Sequence, residues 1–470
     1  MVEQDEIKPE EKVKNSTKFY YGLTSLGTQI VHGVFQIALI FYFREKLLLP
    51  EIYLVWAFIF FAIWNAINDP LFGWLSDKTK TRWGRRIPYL FLFTPVMTLS
   101  FIFLWLGPTT VEIGNLGVFF YMLTFICLYD TAFTAALLVW TALGQEISMD
   151  HRERGNIQIY SLFLGLIGTL IALLLPSIFL DEPGREGFII LTIIFGIIQF
   201  ITMEITTFKI KERLEFSKVD SAVGFIDSFK NTLKRTSFIT TVIMNFFLIF
   251  IQSTFFGLLF FYTDYAIPEI DSTIILLLVV GLTVAGVGFG TYYTVKINKK
   301  KGVKTAMVNS IILHGIGYFL VGVLPGVLAV IGFFFVGVGI YASMTLFNVA
   351  FADVIDEDEV DTGTRREAAI MGINALITKP AESVAGVFIS LMLLFFNYQE
   401  PIDGVQLQQL PITIFGIKLA IGIIPAIVAF LAALAYSLNP LYGDYLKEIK
   451  IKMYQMHVEK KEKLHKIHFK

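Results

Sequence analysis

Three polar side chains, Asn65, Asn68 and Asp69, lie together in a long apolar stretch of the sequence near residues 51–76. Their spacing of three and four residues places them on one face of a helix. A carboxylate inside a membrane costs about 2.5–3.5 kcal/mol on insertion scales, so its retention indicates a function. A carboxylate beside two amide oxygens suits a small hard cation, because such ions take oxygen ligands. The same carboxylate could instead bind and release a proton, and a polar cluster that only packs helices is the alternative without function.

Lys379 is a second ionisable residue within an apolar stretch. It follows Glu367 by twelve residues, which is about 18 Å along a regular helix. An ammonium at that depth needs a carboxylate or a water-filled cavity. Glu382 can pair with it on the same helix, whereas pairing with Asp69 would couple occupancy of a cation site to conformation.

Other polar residues interrupt the apolar stretches. In the first stretch they recur at helical spacing and could line a cavity. The full set is Gln29, His32, Gln36, Asp130, Thr134, Gln158, Asn245, Gln252 and Asn374.

Signatures of soluble enzymes are missing from the sequence, which contains no P-loop, no GxSxG and no HExxH. The single cysteine, Cys127, excludes a disulfide within the chain and a cysteine-based zinc site. We therefore expect no enzyme, no cofactor, no metal other than a possible coupling sodium ion, and no nucleic acid partner.

The elements that must position these residues are membrane helices. Of the 470 residues 55% are hydrophobic and 16% are charged, which is the composition of a polytopic membrane protein. Twelve stretches are long enough to span a bilayer. They lie near 19–45, 51–76, 87–108, 117–146, 157–181, 187–208, 238–264, 272–295, 303–324, 326–351, 368–397 and 411–437.

Lysine and arginine fix the orientation of these spans. Of the 38 residues of these two types, 33 lie in segments on one side of the twelve spans and 3 lie on the other side. The positive-inside rule then predicts a multi-pass protein of the cell membrane with both termini in the cytoplasm. The polar start of the chain indicates that no cleavable signal peptide precedes the first span.

The longest internal charged segment divides the chain into two six-helix halves. We predict a cytoplasmic N-terminus at 1–18, an N-terminal bundle at 19–208, a C-terminal bundle at 238–437 and a basic cytoplasmic tail at 438–470. The central loop 209–237 carries apolar residues at helical spacing, which predicts an amphipathic helix on the membrane face. The expected fold class is therefore all-α integral membrane with twelve transmembrane helices, which is the parallel repeat of the major facilitator fold.

Four segments resemble the glycoside–pentoside–hexuronide:cation symporters, the melibiose permease-like family of the major facilitator superfamily. The run 65–88, NAINDPLFGWLSDKTKTRWGRRIP, is similar to the second span and following loop of that family. The loop with Asp150, Arg152, Glu153 and Arg154 is similar to its DxRER motif. The acidic loop after span ten and Lys379 in span eleven also match. The resemblance covers essentially the whole chain.

Opposite charges in the cytoplasmic loops predict a gate that holds the inner side closed and opens when ion pairs break. Exposed pairs are worth about 0–1 kcal/mol each, which suits a gate that cycles between states of similar energy. A solvated charged rim is the alternative. The predicted gate residues are Asp77, Arg82, Arg85, Asp150, Arg152, Arg154, Asp353, Asp356, Glu359 and Arg365.

The resemblance implies a cation site at Asn65, Asn68, Asp69 and Thr134. Members with well-defined sodium coupling carry an acid at the position of Asn65 and an arginine at that of Ala62. Asp69 is then the one carboxylate of the implied site. It could bind sodium together with neutral oxygens, or it could bind a proton.

The galactoside site of melibiose permease is mostly replaced in this chain. Where this chain has Gln29 and Leu137, melibiose permease has acids. Where it has Thr141 and Leu162, that protein has a tryptophan and an arginine. We expect substrate near mid-membrane between the halves. The predicted substrate residues are Gln29, His32, Thr141, Gln158, Asn374 and Lys379.

The leading hypothesis is a monomeric, sodium- or proton-coupled symporter of a glycoside or related small solute, embedded among membrane lipids and working by alternating access. A lipid, lysolipid or other amphiphile transporter on the same fold is the first alternative. A membrane sensor that does not transport is the alternative from another class.

Overall fold

The computed structural model describes residues 12–78, 86–148, 151–180, 184–210, 232–268, 270–341, 346–363, 366–399 and 407–468. Within these ranges the chain is helical and contains no strand. The first six long helices are α1 (Asn15–Glu45), α2 (Glu51–Lys78), α3 (Ile87–Trp105), α4 (Thr110–Glu146), α5 (His151–Leu180) and α6 (Glu186–Lys209).

The remaining α-helices are α7 (Thr236–Tyr265), α8 (Ser272–Val323), α9 (Gly332–Tyr341), α10 (Phe347–Thr362), α11 (Glu367–Thr378), α12 (Pro380–Phe395), α13 (Pro411–Lys418), α14 (Ile424–Ser437) and α15 (Gly443–His468). A 3₁₀ segment, Gly326–Ile331, precedes α9, and a π segment, Leu419–Ile423, joins α13 to α14.

The predicted all-α membrane architecture is confirmed within the described residues. Ten helical spans among the described residues are long and apolar enough to cross a membrane. One of them, α8, has a non-helical glycine at Gly302, whose φ is 82°, and so accounts for the predicted spans 272–295 and 303–324. The 3₁₀ segment and α9 form a shorter apolar helix, Gly326–Ile340, within the predicted span 326–351.

Three helices depart from the uniform spans that hydropathy predicts. The eleventh span is divided at Lys379, because Pro380 starts a new helix there and proline lacks the amide hydrogen that a continuous helix needs. The twelfth span contains the π segment, and α8 turns at Gly302, where the positive φ favours glycine. The positive-inside rule places both chain termini on one side of the membrane. We call the end of each span on that side its inner end.

The chain folds into two compact units. Unit 1 comprises Met1–Asp220, Phe256–Phe261 and Gly386–Thr413. In it α1 packs along α5 and α6, α2 packs on α4, and α3 lies against α4 and α6. A threonine pair joins α1 to α6, where Thr24 donates to Thr206 Oγ1 at 2.7 Å. Tight contacts of this kind are typical of helices in lipid, where small residues let backbones approach.

Unit 2 comprises Ser221–Phe255, Tyr262–Ala385 and Ile414–Lys470. The two arms of α8 pack on α9 and α14. At the inner end, an apolar cluster gathers Phe238, Val242, Phe351, Val354, Ile355, Ile370, Ile373 and Leu441. The tail helix α15 packs on α10 beside this cluster, so this part of the predicted basic tail is a folded element of unit 2. The predicted amphipathic helix lies mostly in 211–231, outside the described residues.

Candidate functional site

The two asparagines of α2 face the interior of unit 1. An apolar stripe on the other side of the helix is exposed and includes Ile63 (57%) and Ile67 (56%). Asn65 and Asn68 are each only 1% exposed. The predicted polar face is therefore turned toward protein, as a polar group in a membrane helix requires.

Asn68 contacts an acid of α4. Its amide nitrogen donates to Asp130 Oδ2 at 2.8 Å, and Asp130 is 8% exposed. One turn of α2 away, the Trp64 indole donates to Thr131 Oγ1 at 3.0 Å. These two hydrogen bonds fix α2 against α4 at the level of Asp130.

The carbonyl oxygens of Asn65 and Asn68 are both fully buried, and neither accepts a hydrogen bond from the part of the chain that the structure describes. A buried polar atom without a partner costs about 1–3 kcal/mol. Two such oxygens on adjacent turns of one helix are suited to a ligand that carries positive charge, such as a hard cation that takes oxygen ligands.

The other predicted cation residues lie further along the same helices. Thr134 is buried at 4% exposure, one turn inward of Asp130, which is about 6 Å along α4. Asn65 lies one turn outward of Asn68. The predicted set thus extends over about two turns, with Asp130 in its middle. Asp69 follows Asn68 in α2, and its side chain lies outside the described residues.

The predicted substrate residues of unit 1 lie in different surroundings. Gln29 is half-buried where α1 meets glycines of α5: a Cβ at Gly168 would lie 3.2 Å from Gln29 Cβ. The His32 ring stacks on Phe133, with centroids 4.4 Å apart, so it belongs to an aromatic cluster.

Two further residues of this set lie nearer the inner end of unit 1. Thr141 is exposed and donates to its own helix at Leu138 O, 2.9 Å away. Gln158 is exposed on α5 and makes a side-chain hydrogen bond with Tyr21 of α1.

Unit 2 holds the remaining two predicted substrate residues. Asn374 accepts a 3.4 Å hydrogen bond from the amide of Asn245, which joins α11 to α7. Lys379 is half-buried at the junction of α11 and α12. The predicted site includes Asn374 but not Asn245, which the structure shows to be a hydrogen-bond partner of Asn374.

Three of the predicted gate residues have described side chains. Asp353 and Asp356 each lie 2.6 Å from the Lys450 ammonium of α15, and Glu359 is 1% exposed. The side chains of the other seven lie outside the described residues, namely Asp77, Arg82, Arg85, Asp150, Arg152, Arg154 and Arg365. The gate remains a prediction.

Sequence reasoning missed an ionic cluster at the outer end of unit 1. Arg44, 1% exposed, donates to Glu51 Oε1 at 2.8 Å through Nε and lies 2.7 Å from it through Nη2. Its guanidinium also lies 5.4 Å from the ring centre of Tyr398, whose hydroxyl donates to Glu45. The sequence does show three charged residues, Arg44, Glu45 and Glu51, at the short connection between α1 and α2. It gives no reason to place Tyr398 beside them.

Known proteins with related sequences include membrane transporters. The sequence profile of the family described as MFS/sugar transport protein matches residues 20–442. The sphingosine-1-phosphate transporter MFSD2B of Xenopus tropicalis is 25% identical over 432 residues, which cover 83% of this chain and 80% of that protein. The uncharacterized symporter YjmB of Bacillus subtilis (strain 168) is 23% identical over 441 residues, covering 91% and 92%.

Solved structures support the same fold. The crystal structure of the nucleoside transporter NupG superposes with a TM-score of 0.62 at 14% identity, covering 92% of this chain and 100% of that one. At this identity the likeness concerns the fold alone. With the family match over most of its length and the fold described above, the chain belongs to the MFS/sugar transport protein family of the major facilitator superfamily and is a multi-pass membrane transporter, not an enzyme.

Proposed function

We propose that this transporter is a cation-coupled symporter that works by alternating access, with sodium as the coupling ion. The observation that carries the proposal is the pair of buried carbonyl oxygens of Asn65 and Asn68, which lack partners among the described residues. An amide oxygen does not take up a proton at physiological pH, whereas it is a good ligand for a hard cation. The donor set therefore favours sodium over a proton. Asp69 and Thr134 complete the proposed site.

The proposed substrate is a glycoside or a related small solute, as the resemblance to the melibiose permease-like family implies. Its proposed polar contacts are Gln29, His32, Thr141 and Gln158 in unit 1, with Asn374 and Lys379 in unit 2. Exposed hydroxyl and amide groups such as those of Thr141 and Gln158 are suited to hydrogen bonds with sugar hydroxyls.

An amphiphile is the second candidate substrate. Leu162, where the related galactoside site has an arginine, is 57% exposed on α5, and Leu137 on α4 is also apolar. A relative of similar length transports sphingosine-1-phosphate. A binding surface with these leucines would accept an acyl chain more readily than a second sugar ring.

We also propose the cell membrane as the location, with both termini in the cytoplasm and a monomer among membrane lipids as the working form. The ratio of 33 to 3 in lysine and arginine supports this orientation.

Uptake into proteoliposomes tests the coupling and the substrate class together. Radiolabelled methyl glycosides and lysophosphatidylcholine would be offered with an inward sodium gradient, with a proton gradient, or with neither. We expect accumulation of one class that requires the sodium gradient and is lost in Asn68→Leu. Uptake that is equal in all three conditions would contradict sodium coupling. Sodium-dependent uptake of lysophosphatidylcholine but not of the glycosides would select the amphiphile.

A further inference from the structure

Asp130 is a buried carboxylate in the middle of a membrane-spanning helix, and the predicted site residues do not include it. It is 8% exposed, although a charged residue at such a depth costs about 2.5–3.5 kcal/mol on insertion scales. It accepts a hydrogen bond from Asn68, whose carbonyl oxygen is one of the two buried oxygens assigned to sodium.

We propose that Asp130 is a positioning residue of the sodium site: it turns the Asn68 carboxamide so that Oδ1 meets the cation, and its negative charge offsets the charge of that cation. This inference rests on the proposed function, because it adds a residue to the same site. The kind of ligand it selects is a small monovalent cation.

The orientation follows from the hydrogen bond itself. A carboxylate only accepts hydrogen bonds, so the atom of Asn68 that lies 2.8 Å from Asp130 Oδ2 must be the amide nitrogen. The carbonyl oxygen on the same planar group then points away from Asp130. This oxygen is buried and has no hydrogen-bond donor among the described residues. The hydrogen bond to Asp130 thus leaves Asn68 Oδ1 as a buried acceptor without a donor. This lowers the stability of the fold unless a cation occupies the site.

The charge argument is separate. Neutral amide oxygens repay only part of the hydration that a cation loses on entering a site of low dielectric constant, because desolvation of an ion costs several kcal/mol; a second negative charge besides that of Asp69 adds to the compensation. A carboxylate that is hydrogen-bonded to a ligand residue supplies that compensation from the outer shell. Changes to such outer-shell partners typically lower cation affinity 10–100-fold.

Helix packing alone is the competing explanation, and Asp130→Asn separates the two. The side-chain oxygen of the new asparagine can still accept from Asn68, so the packing and the orientation are kept while the charge is lost. The double variant Asn65→Asp/Asp130→Asn returns one carboxylate to the same cluster, one turn away on α2. Thr98→Val is the matched control, because it removes a buried polar pair of unit 1, Thr98 with Gln199 Oε1 at 2.6 Å, on α3 and α6.

The experiment titrates purified protein with sodium chloride against choline chloride and follows two signals. One is the midpoint of thermal unfolding, since a bound cation stabilises by mass action. The other is tryptophan fluorescence, with Trp64→Phe identifying the part that arises at Trp64, whose indole is hydrogen-bonded to the residue after Asp130.

We expect the sodium affinity to fall 10–100-fold in Asp130→Asn, to return toward the wild-type value in the double variant and to stay unchanged in Thr98→Val. A wild-type response that Asp130→Asn retains in full would overturn the role of Asp130 and leave the proposed function intact. Absence of any sodium response in the wild type would overturn both.

Discussion

Lys450 of the tail helix α15 lies 2.6 Å from a carboxylate oxygen of Asp353 on α10. The same ammonium lies 2.6 Å from Asp356 Oδ2. Two buried carboxylates therefore share one cation. Burial and the nearby Asp356 raise the pKa of Asp353 above its ordinary value of 3.8, although Lys450 lowers it in part. Burial would lower the pKa of Lys450, but the two carboxylates outweigh burial and raise it.

Replacing Lys450 is expected to destabilise unit 2. In Lys450→Met the two acids lose the cation between them, and because the lysine is 41% exposed we discount the cost of a fully buried pair to about 1–2 kcal/mol. Thermal unfolding in detergent measures the change. Lys447→Met is the control, since Lys447 pairs with Asp444 on an exposed surface. An unfolding midpoint in Lys450→Met equal to that of the control would show that the bridge contributes nothing.

A second ion pair, at the inner end of unit 1, predicts a pH dependence. Glu153 accepts from Lys18 at 2.8 Å, from the backbone amide of Val13 at 3.0 Å and from Asn156 at 3.2 Å. Burial raises the pKa of Glu153, but these three donors together lower it below the ordinary value of 4.5. Because the folded state lowers this pKa, the carboxylate stabilises the fold above pH 4.5 and loses that contribution as the pH falls through the lowered pKa.

Wild type and Glu153→Gln are therefore expected to differ most near neutral pH. The loss in Glu153→Gln should be about 1–2 kcal/mol at pH 7, because Lys18 loses its carboxylate partner. The difference should shrink as the pH falls below 4.5. Unfolding midpoints of both proteins over this range measure it, with the exposed Glu448→Gln as control. A gap that is constant with pH would exclude the ion pair as its source.

The outer cluster of unit 1 predicts the effect of a single hydroxyl. Tyr398 donates to Glu45, and both residues are buried at 6% and 5% exposure. A hydrogen bond to a charged group contributes about 1.5–3 kcal/mol. Tyr398→Phe keeps the ring beside Arg44 and removes this bond, so we expect the free energy of unfolding to fall by that amount, with a lower unfolding midpoint as the measured sign.

Tyr121→Phe serves as the comparison for the outer cluster. Its hydroxyl donates to a neutral backbone carbonyl, that of Phe103, at an exposed site. The expected loss is smaller, about 0.5–1.5 kcal/mol. Equal losses in the two variants would contradict a charge-assisted bond at Tyr398.

Two glycines of α8 give a matched test of helix packing in unit 2. A Cβ at Gly286 would lie 1.9 Å from the carbonyl oxygen of Phe334, whereas a Cβ at Gly288 would meet nothing within 4 Å. Gly286→Ala is expected to force α8 away from α9 and to cost about 1–3 kcal/mol. Gly288→Ala should be neutral or slightly stabilising, since alanine is the better helix former. Unfolding midpoints in the reverse order would mean that α8 and α9 do not approach as described.

The helices could be predicted from sequence because a bilayer imposes them: each span must be apolar and about 20 residues long. The break at Lys379 was not predicted, although Pro380 was there to indicate it. The buried face of α2 also followed from periodicity alone. Nothing in the order of residues, however, indicates which helix that face contacts, so Asp130 was noted as polar without being joined to Asn68.

Tertiary partners far apart in the sequence explain the other omissions. The predicted gate paired Asp353 and Asp356 with cations of other loops, whereas the described structure shows them beside Lys450, which the sequence places in the basic tail. Likewise, Tyr398 and Glu45 are 353 residues apart. Such contacts depend on how helices pack, which residue spacing within one helix does not encode.

Direct binding of radioactive sodium to the purified protein tests the central claim, that the asparagine oxygens of α2 hold the coupling ion. Wild type, Asn68→Leu and the control Asn245→Leu, which loses an amide of unit 2, would be compared at equal ionic strength. We predict saturable binding in wild type and in Asn245→Leu, and its loss in Asn68→Leu. Saturable binding that survives in Asn68→Leu, or no binding in the wild type, would contradict the account.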